Sequence, residues 1–232
     1  GTGLNTKADF GKLMAEEISR FSKVNFIEAP NHFEAQGTQD ASVETSGTLK
    51  TIAVSLSKIA NDIRWMSSGP RAGIAELILP AVQPGSSIMP GKVNPVICES
   101  MIQICAQVIG NDTAITLGGQ GGVFELNMML PLIAHNLMQS IEILSKGSMM
   151  FSEKLVKGLN VDKDKCFDYI EGSLAMCTSL APIIGYDKAA EIAHKAYESG
   201  KTIREICIQE KLLNQERLDY LLDPKNMIKP TD

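Results

Sequence analysis

The sequence predicts an all-α fold: a bundle of long helices over residues 1–161, followed by a small helical domain over residues 162–232. Three observations carry this expectation. Hydrophobic residues make up 44% of the chain but aromatics only 5%, and eleven methionines do part of the filling. Such a mixture favours packed helices over a β-sandwich. Apolar residues recur at steps of three and four over long proline-free stretches, the signature of helices with one buried face. No strand-rich region and no repeat of about 20–50 residues interrupts this texture, which excludes a Rossmann or P-loop architecture and a solenoid.

The first helix is expected from about Thr6 to Lys23, with Thr6 as N-cap and Phe10, Leu13, Met14, Ile18 and Phe21 at helical spacing. A break at Glu28-Ala29-Pro30-Asn31 follows. From Phe33 to about Ser67 there is no proline, so one helix about 50 Å long is expected at ~1.5 Å per residue. Its stripe is Leu49, Ile52, Ala53, Leu56, Ile59, Ala60 and Ile63, and Gly69-Pro70 ends it. Residues 68–95 contain Gly69, Gly73, Gly85 and Gly91 with Pro70, Pro80, Pro84, Pro90 and Pro95, too many breakers for a long helix.

A new helix should begin near Pro95, a residue suited to a first helical turn. Ile97, Met101, Ile104, Cys105 and Val108 form its apolar face, and Glu99, Gln103 and Gln107 a polar stripe. The cluster Gly118, Gly119, Gly121 and Gly122 is expected to break or bend the chain. Asn127 to about Lys157 reads as another long helix, with a coiled-coil-like seam of Ile133, Leu137, Ile141, Leu144, Ser148, Phe151 and Leu155. Beyond Gly158–Asp162 the helical pieces shorten, near Lys163–Leu180, Asp187–Ser199, Thr202–Lys211 and Asn214–Leu222.

Charge and composition narrow the function classes. With 22 Lys+Arg against 27 Asp+Glu, the net charge is −5 and no basic block occurs. Neither nucleic acid nor an anionic membrane is expected as the main partner. The longest uncharged stretch, between Glu125 and Glu142, includes Asn127, Pro131, His135, Asn136 and Gln139, too polar for a lipid-facing helix. The first residues carry no signal-peptide pattern. They also lack an initiator Met, from which a fragment or processed product is expected. Five cysteines with no CxxC pair read as buried free thiols in a reducing compartment, without an iron–sulfur or structural zinc site.

The stretch Gly85-Ser86-Ser87-Ile88-Met89-Pro90-Gly91-Lys92-Val93-Asn94-Pro95 is the most informative. Lys92 is the only charge between Glu76 and Glu99. Two hydroxyls, an ammonium and an amide on a bounded loop suit a small anionic ligand. By composition alone they suit an ordinary Gly/Pro connector equally well.

The ordered string G-S-S-x-M-P-x-K-x-N-P, with Glu99 a few residues on, resembles the signature loop of the aspartase/fumarase superfamily. Gly1-Thr2-Gly3-Leu4-Asn5, Lys58-Ile59-Ala60-Asn61-Asp62-Ile63-Arg64-Trp65, Val108-Ile109-Gly110-Asn111-Asp112, Phe124-Glu125-Leu126-Asn127 and Ile184-Gly185-Tyr186-Asp187-Lys188-Ala189-Ala190-Glu191 make the whole chain similar to the C-terminal part of class II fumarate hydratases. The resemblance implies reversible hydration of fumarate to (S)-malate, as in the tricarboxylic acid cycle, without metal or cofactor. It implies Ser86 as the base that removes the C3 proton. Ser87, Lys92, Val93 and Asn94 are implied as substrate contacts, and Glu99 as the partner of a catalytic histidine. It further implies a homotetramer with active sites shared between subunits, in the cytoplasm or, in a eukaryote, the mitochondrial matrix.

None of His32, His135 and His194 lies in a segment resembling the family's histidine loop, so all three are expected to be structural. This sequence is therefore expected to carry the serine-and-lysine half of a site. Two other readings stay open: an aspartate ammonia-lyase using the same loop, and a non-catalytic helical scaffold that only assembles. Gly91 before Lys92, Cys98-Glu99 and Tyr186–Ala190 favour the hydratase.

Overall fold

The computed structural model describes residues 1–228 and 230. In chain order these form α1 (Phe10–Ser22), α2 (His32–Gly37), α3 (Asp40–Met66), β1 (Leu77–Ile78) and α4 (Val96–Gln120). Then come β2 (Gly122–Val123), β3 (Leu126–Asn127), α5 (Leu130–Lys154) and β4 (Asn160–Val161). The last part holds α6 (Lys163–Glu171), α7 (Ala181–Ile184), α8 (Tyr186–Ser199), α9 (Ile203–Gln209) and α10 (Gln215–Leu221), with short 3-10 turns between. The chain divides into two compact units, one of Gly1–Trp65 and Leu79–Leu159, the other of Met66–Ile78 and Asn160–Asp232. Among the described residues no helix is long and apolar enough to cross a membrane.

In the first unit, side chains at steps of three and four set the helix packing. On α4 the buried positions Cys98, Met101, Cys105, Val108, Asp112 and Ile115 follow that rhythm, as knobs along one seam do. On α3, Ser46, Ala53 and Ala60 are buried at every seventh residue. On α5 the buried residues are Ile133, Ser140, Leu144, Gly147 and Phe151. The seam expected there is only partly right: Ile141 is 42% exposed, and Ser140 and Gly147 lie inside. Ser140 is buried because its hydroxyl accepts from Asn111 Nδ2 at 3.0 Å. Gly147 is inside because a methyl group there would sit 2.7 Å from Ile104 Cδ1.

Several boundaries differ from the sequence expectation for local reasons. Thr6 does not cap α1; its hydroxyl donates to the Gly3 carbonyl at 2.6 Å, closing a turn with Asn5 in the left-handed region. Asp9 holds the N-cap position instead. The helix expected from Phe33 to Ser67 is split at Thr38, which is extended. Gly37 there packs against the β2–β3 turn so closely that a Cβ would lie 2.7 Å from the Phe124 carbonyl oxygen. α4 ends inside the glycine cluster, at Gln120 with Gly121 as its C-cap, but it runs through Gly118 and Gly119 first. Both are sites of close approach, 2.7 Å from Ile133 and Val43 for an added methyl. Buried Asn127 ends the hairpin rather than starting a helix. Its Nδ2 donates to the Gly118 carbonyl at 3.1 Å, and its Oδ1 accepts from Met129 N–H at 2.8 Å.

Two adjacent polar residues of α4 fix the register of both neighbouring helices. Asn111 Nδ2 donates to Gln139 Oε1 at 2.9 Å and to Ser140 on α5. Asp112 accepts from Ser46 Oγ at 2.9 Å and Lys50 Nζ at 2.6 Å on α3. The Asp112 side chain is 6% exposed and that of Lys50 45%. In an Asp112→Ala variant Lys50 can turn to water, so the loss is set mainly by the stranded Ser46 hydroxyl and the emptied site. Unfolding free energy should fall by about 2 kcal/mol, read as a lower urea midpoint at unchanged slope.

The second unit has its own core, built from Met176, Leu180, Ile192, Ala196, Ile203, Ile206, Cys207, Leu218 and Leu222. Side-chain caps start its helices: Asp162 on α6, Thr202 in a capping box on α9 and Asn214 on α10. Residues 66–78 join this unit through the antiparallel pair β1–β4, Leu77 opposite Val161, and through Tyr169 Oη donating to the Gly73 carbonyl at 3.1 Å.

Lys188 and Lys195 bridge Glu191 on α8 to Glu210 after α9. Hydrogen bonds from Lys195, then Lys188, lower the Glu191 carboxyl from 4.5 to about 2, and Glu210 moves in the same direction for the same reasons. A depressed carboxylate contributes stability at pH above its unfolded value and loses it on protonation. The thermal midpoint of this unit should therefore fall as pH drops from 4.5 towards 2. A Lys195→Met variant should show a flatter decline in the same circular-dichroism melts.

Candidate active-site loop

Loop 85–95 belongs to the first unit and ends where α4 begins. Pro84 and Pro95 bracket it, and Gly91 takes a positive φ of 79°, so the bend falls where glycine permits it. Ser86 is half-buried near the start of the loop. Its Oγ accepts from the backbone N–H groups of Ile88 and Met89, both at 3.2 Å. Two amides aimed at one hydroxyl oxygen favour negative charge there, because they are fixed dipoles needing no reorganisation.

The other loop residues have distinct placements. Lys92 is exposed, and among the described residues its ammonium makes no ion pair. Its charge is thus available to an anion. Its N–H donates to the Met89 carbonyl at 3.3 Å, closing the tip of the loop. Ser87 and Val93 are exposed and Asn94 is half-buried. The Asn94 side-chain amide donates to the Gly85 carbonyl, which leaves its second N–H and its oxygen for a ligand. Ser86, Lys92 and Asn94 therefore share one short loop whose two limbs touch.

Glu99 lies in the first turn of α4, exposed, where the helix dipole favours a carboxylate. Among the described residues it forms no ion pair. The three histidines sit elsewhere: His32 pairs with Glu28 at 3.1 Å, His135 is exposed on α5, and His194 is exposed on α8 of the second unit. Cys98, next to Glu99, is fully buried. Burial, then the Glu99 charge, push its thiol up to about 11 against the opposing pull of Arg64. A groove of about 810 Å³ beside α1, lined by Phe10, Met14, Ile18, Phe26, Ile27 and His32 among others, contains none of the loop residues.

Amides of the glycine-containing loop are expected at Ser86 from the sequence, and Ile88 and Met89 supply them; the sequence reading missed which residues donate, and the contact between Gly85 and Asn94. Backbone donors have no side-chain signature. The one available signal was the position of a glycine directly before the serine pair and an asparagine directly before Pro95.

Comparison with known proteins is consistent along the chain. Residues 1–110 match a family model described as Lyase, and residues 176–229 one described as Fumarase C C-terminus. The chain is 47% identical over 232 residues to fumarate hydratase 1, mitochondrial, of Arabidopsis thaliana, covering 100% of this chain and 47% of that protein. It is 46% identical over 228 residues to the class II fumarate hydratase of Methanosarcina acetivorans, covering 98% of this chain and 47% of that protein. The crystal structure of class II fumarase from Schistosoma mansoni superposes with a TM-score of 0.91 at 36% identity, covering 100% of this chain and 52% of the other. The chain spans about half the length of the curated relatives it matches.

Proposed function

Because the chain belongs to the class II fumarate hydratase family, we propose that it carries the serine-and-lysine half of a site for the reversible hydration of fumarate to (S)-malate. The observation that carries this reading is Ser86 Oγ held by two backbone N–H groups on the same loop as Lys92. In the elimination direction Ser86 removes a proton from C3 of malate. The electron pair moves into the adjacent carboxylate, giving an aci-carboxylate, and the C2 hydroxyl leaves as water with a proton from an acid. An alkoxide at Ser86 is accessible only with charge stabilisation, which the Ile88 and Met89 amides and the Lys92 ammonium supply. Lys92, Val93 and Asn94 hold the substrate carboxylate, and Ser87 adds a contact.

Glu99 orients a histidine that a further segment of polypeptide brings to it, since a carboxylate beside imidazole fixes the ring and favours its charged form. The assembly we propose is a homotetramer with shared sites. Large apolar side chains along α3 and α5 support it: Ile52, Ile59, Met138, Ile141 and Met149 are all exposed in the single chain, a face that needs a partner. The free cysteines support a reducing compartment, the cytoplasm or the mitochondrial matrix.

Product analysis tests the reading. An enzyme containing this chain and a histidine-bearing segment, given fumarate, should form malate at a rate independent of ammonium. Aspartate formed only with ammonium would make it an ammonia-lyase. No turnover of fumarate under either condition would leave an assembling scaffold.

A further inference from the structure

Gly85 and Asn94 close the neck of the loop. The Asn94 amide donates to the Gly85 carbonyl. Gly85 also lies directly against the opposite limb. A methyl group on its Cα would overlap the Lys92 carbonyl oxygen, lie 2.6 Å from the Lys92 carbonyl carbon and 3.2 Å from the Asn94 nitrogen. These are backbone atoms, which cannot swing aside as the end of a long side chain can. Gly85 precedes Ser86, and Lys92 contributes the carbonyl that it touches. The neck therefore ties the start of the Ser86 turn to the residue that carries the cation.

We propose that Gly85 is a positioning residue for the hydration proposed above: its close backbone approach, latched by Asn94, fixes Ser86 Oγ relative to the root of the Lys92 side chain. The inference rests on the hydratase reading for its kinetic consequence but not for its geometry. Proton abstraction and stabilisation of the resulting negative charge must act on one substrate at once. An error of about 1 Å between the groups responsible costs on the order of 100-fold in rate. Gly85 has no side chain to offer a ligand, so a loss of kcat on altering it cannot come from a deleted substrate contact. Asn94 has a dual task, one N–H to the latch and its other polar atoms to the ligand.

The test uses Gly85→Ala, which wedges the neck open, and Asn94→Asp, which keeps the shape but sets a carboxylate oxygen against the Gly85 carbonyl. Amide hydrogen exchange is followed on the 232-residue chain, and kinetics on an active enzyme that contains it. Both variants should speed exchange at Ile88 and Met89 by about tenfold or more while the melting transition of the first unit is retained. Gly85→Ala should lower kcat by about 100-fold with KM within about threefold of the parent. Unchanged exchange in both variants, or a raised KM with kcat intact in Gly85→Ala, overturns the proposal. If Gly85→Ala fails to fold, exchange in the isosteric Asn94→Asp variant decides. If the unaltered enzyme hydrates no fumarate, the hydratase reading fails, while the exchange measurement still decides whether the neck holds the loop.

Discussion

Replacing Ser86 by alanine is expected to lower turnover by about 10³–10⁴-fold, the upper range of what a positioned proton acceptor contributes. Ser86 is the one side chain whose oxygen gathers two backbone donors on the loop. Alanine leaves those amides facing the solvent they already border, so little folding energy is lost. Helical content, oligomeric state and the melting transition should match the parent. Binding of a dicarboxylate should weaken only slightly, because the Lys92 charge is untouched. Near-parental turnover in a folded Ser86→Ala variant would remove Ser86 as the base.

The second large effect is expected at Lys92. A four-carbon dianion needs a cation, and among residues 77–98 only Lys92 is charged. Lys92→Met keeps most of the stem and removes the charge. The aci-carboxylate concentrates more charge on one end than the ground state does, so the ammonium stabilises the transition state more than the substrate. kcat should fall by about 10²–10³-fold, and KM should rise as well. Steady-state kinetics separate the two contributions: a raised KM with unchanged kcat would restrict Lys92 to uniform binding.

Much of the first unit was legible because apolar periodicity and helix breakers are local signals. α4 starts after Pro95 as expected, and the buried set Met101, Cys105 and Val108 lies on the expected face. The misreadings share a physical origin. Ser140, Asn111 and Asp112 are polar yet buried, which only their mutual and cross-helix hydrogen bonds make possible. Gly118, Gly119 and Gly147 look like breakers but mark places where helices approach too closely for a Cβ. Both kinds of signal depend on a partner helix that no local window contains. The loop shows the same division. Its side chains were legible as an ordered string, and amides aimed at Ser86 were expected from its glycines, whereas the identity of the donors, Ile88 and Met89, and the contact at Gly85 emerge only from the folded turn.

Glu99 carries two readings at once. Its place in the first turn of α4 is compatible with a dipole-stabilised surface carboxylate and with a histidine partner. Within the first unit, His32 pairs with Glu28 instead, and His135 on α5 forms no ion pair with Glu99.

The most direct measurement of the central claim follows the proton rather than the product. (S)-Malate deuterated at the C3 position that the enzyme attacks is incubated in ordinary water with an active enzyme containing this chain, and loss of the label is followed by proton NMR. The account predicts steady wash-out of deuterium in the parent. It predicts no detectable wash-out in Ser86→Ala under conditions where that variant still binds a dicarboxylate. Wash-out at the parental rate in the folded, ligand-binding Ser86→Ala variant would contradict it, because C3 would then be deprotonated by a group other than the serine held between the Ile88 and Met89 amides.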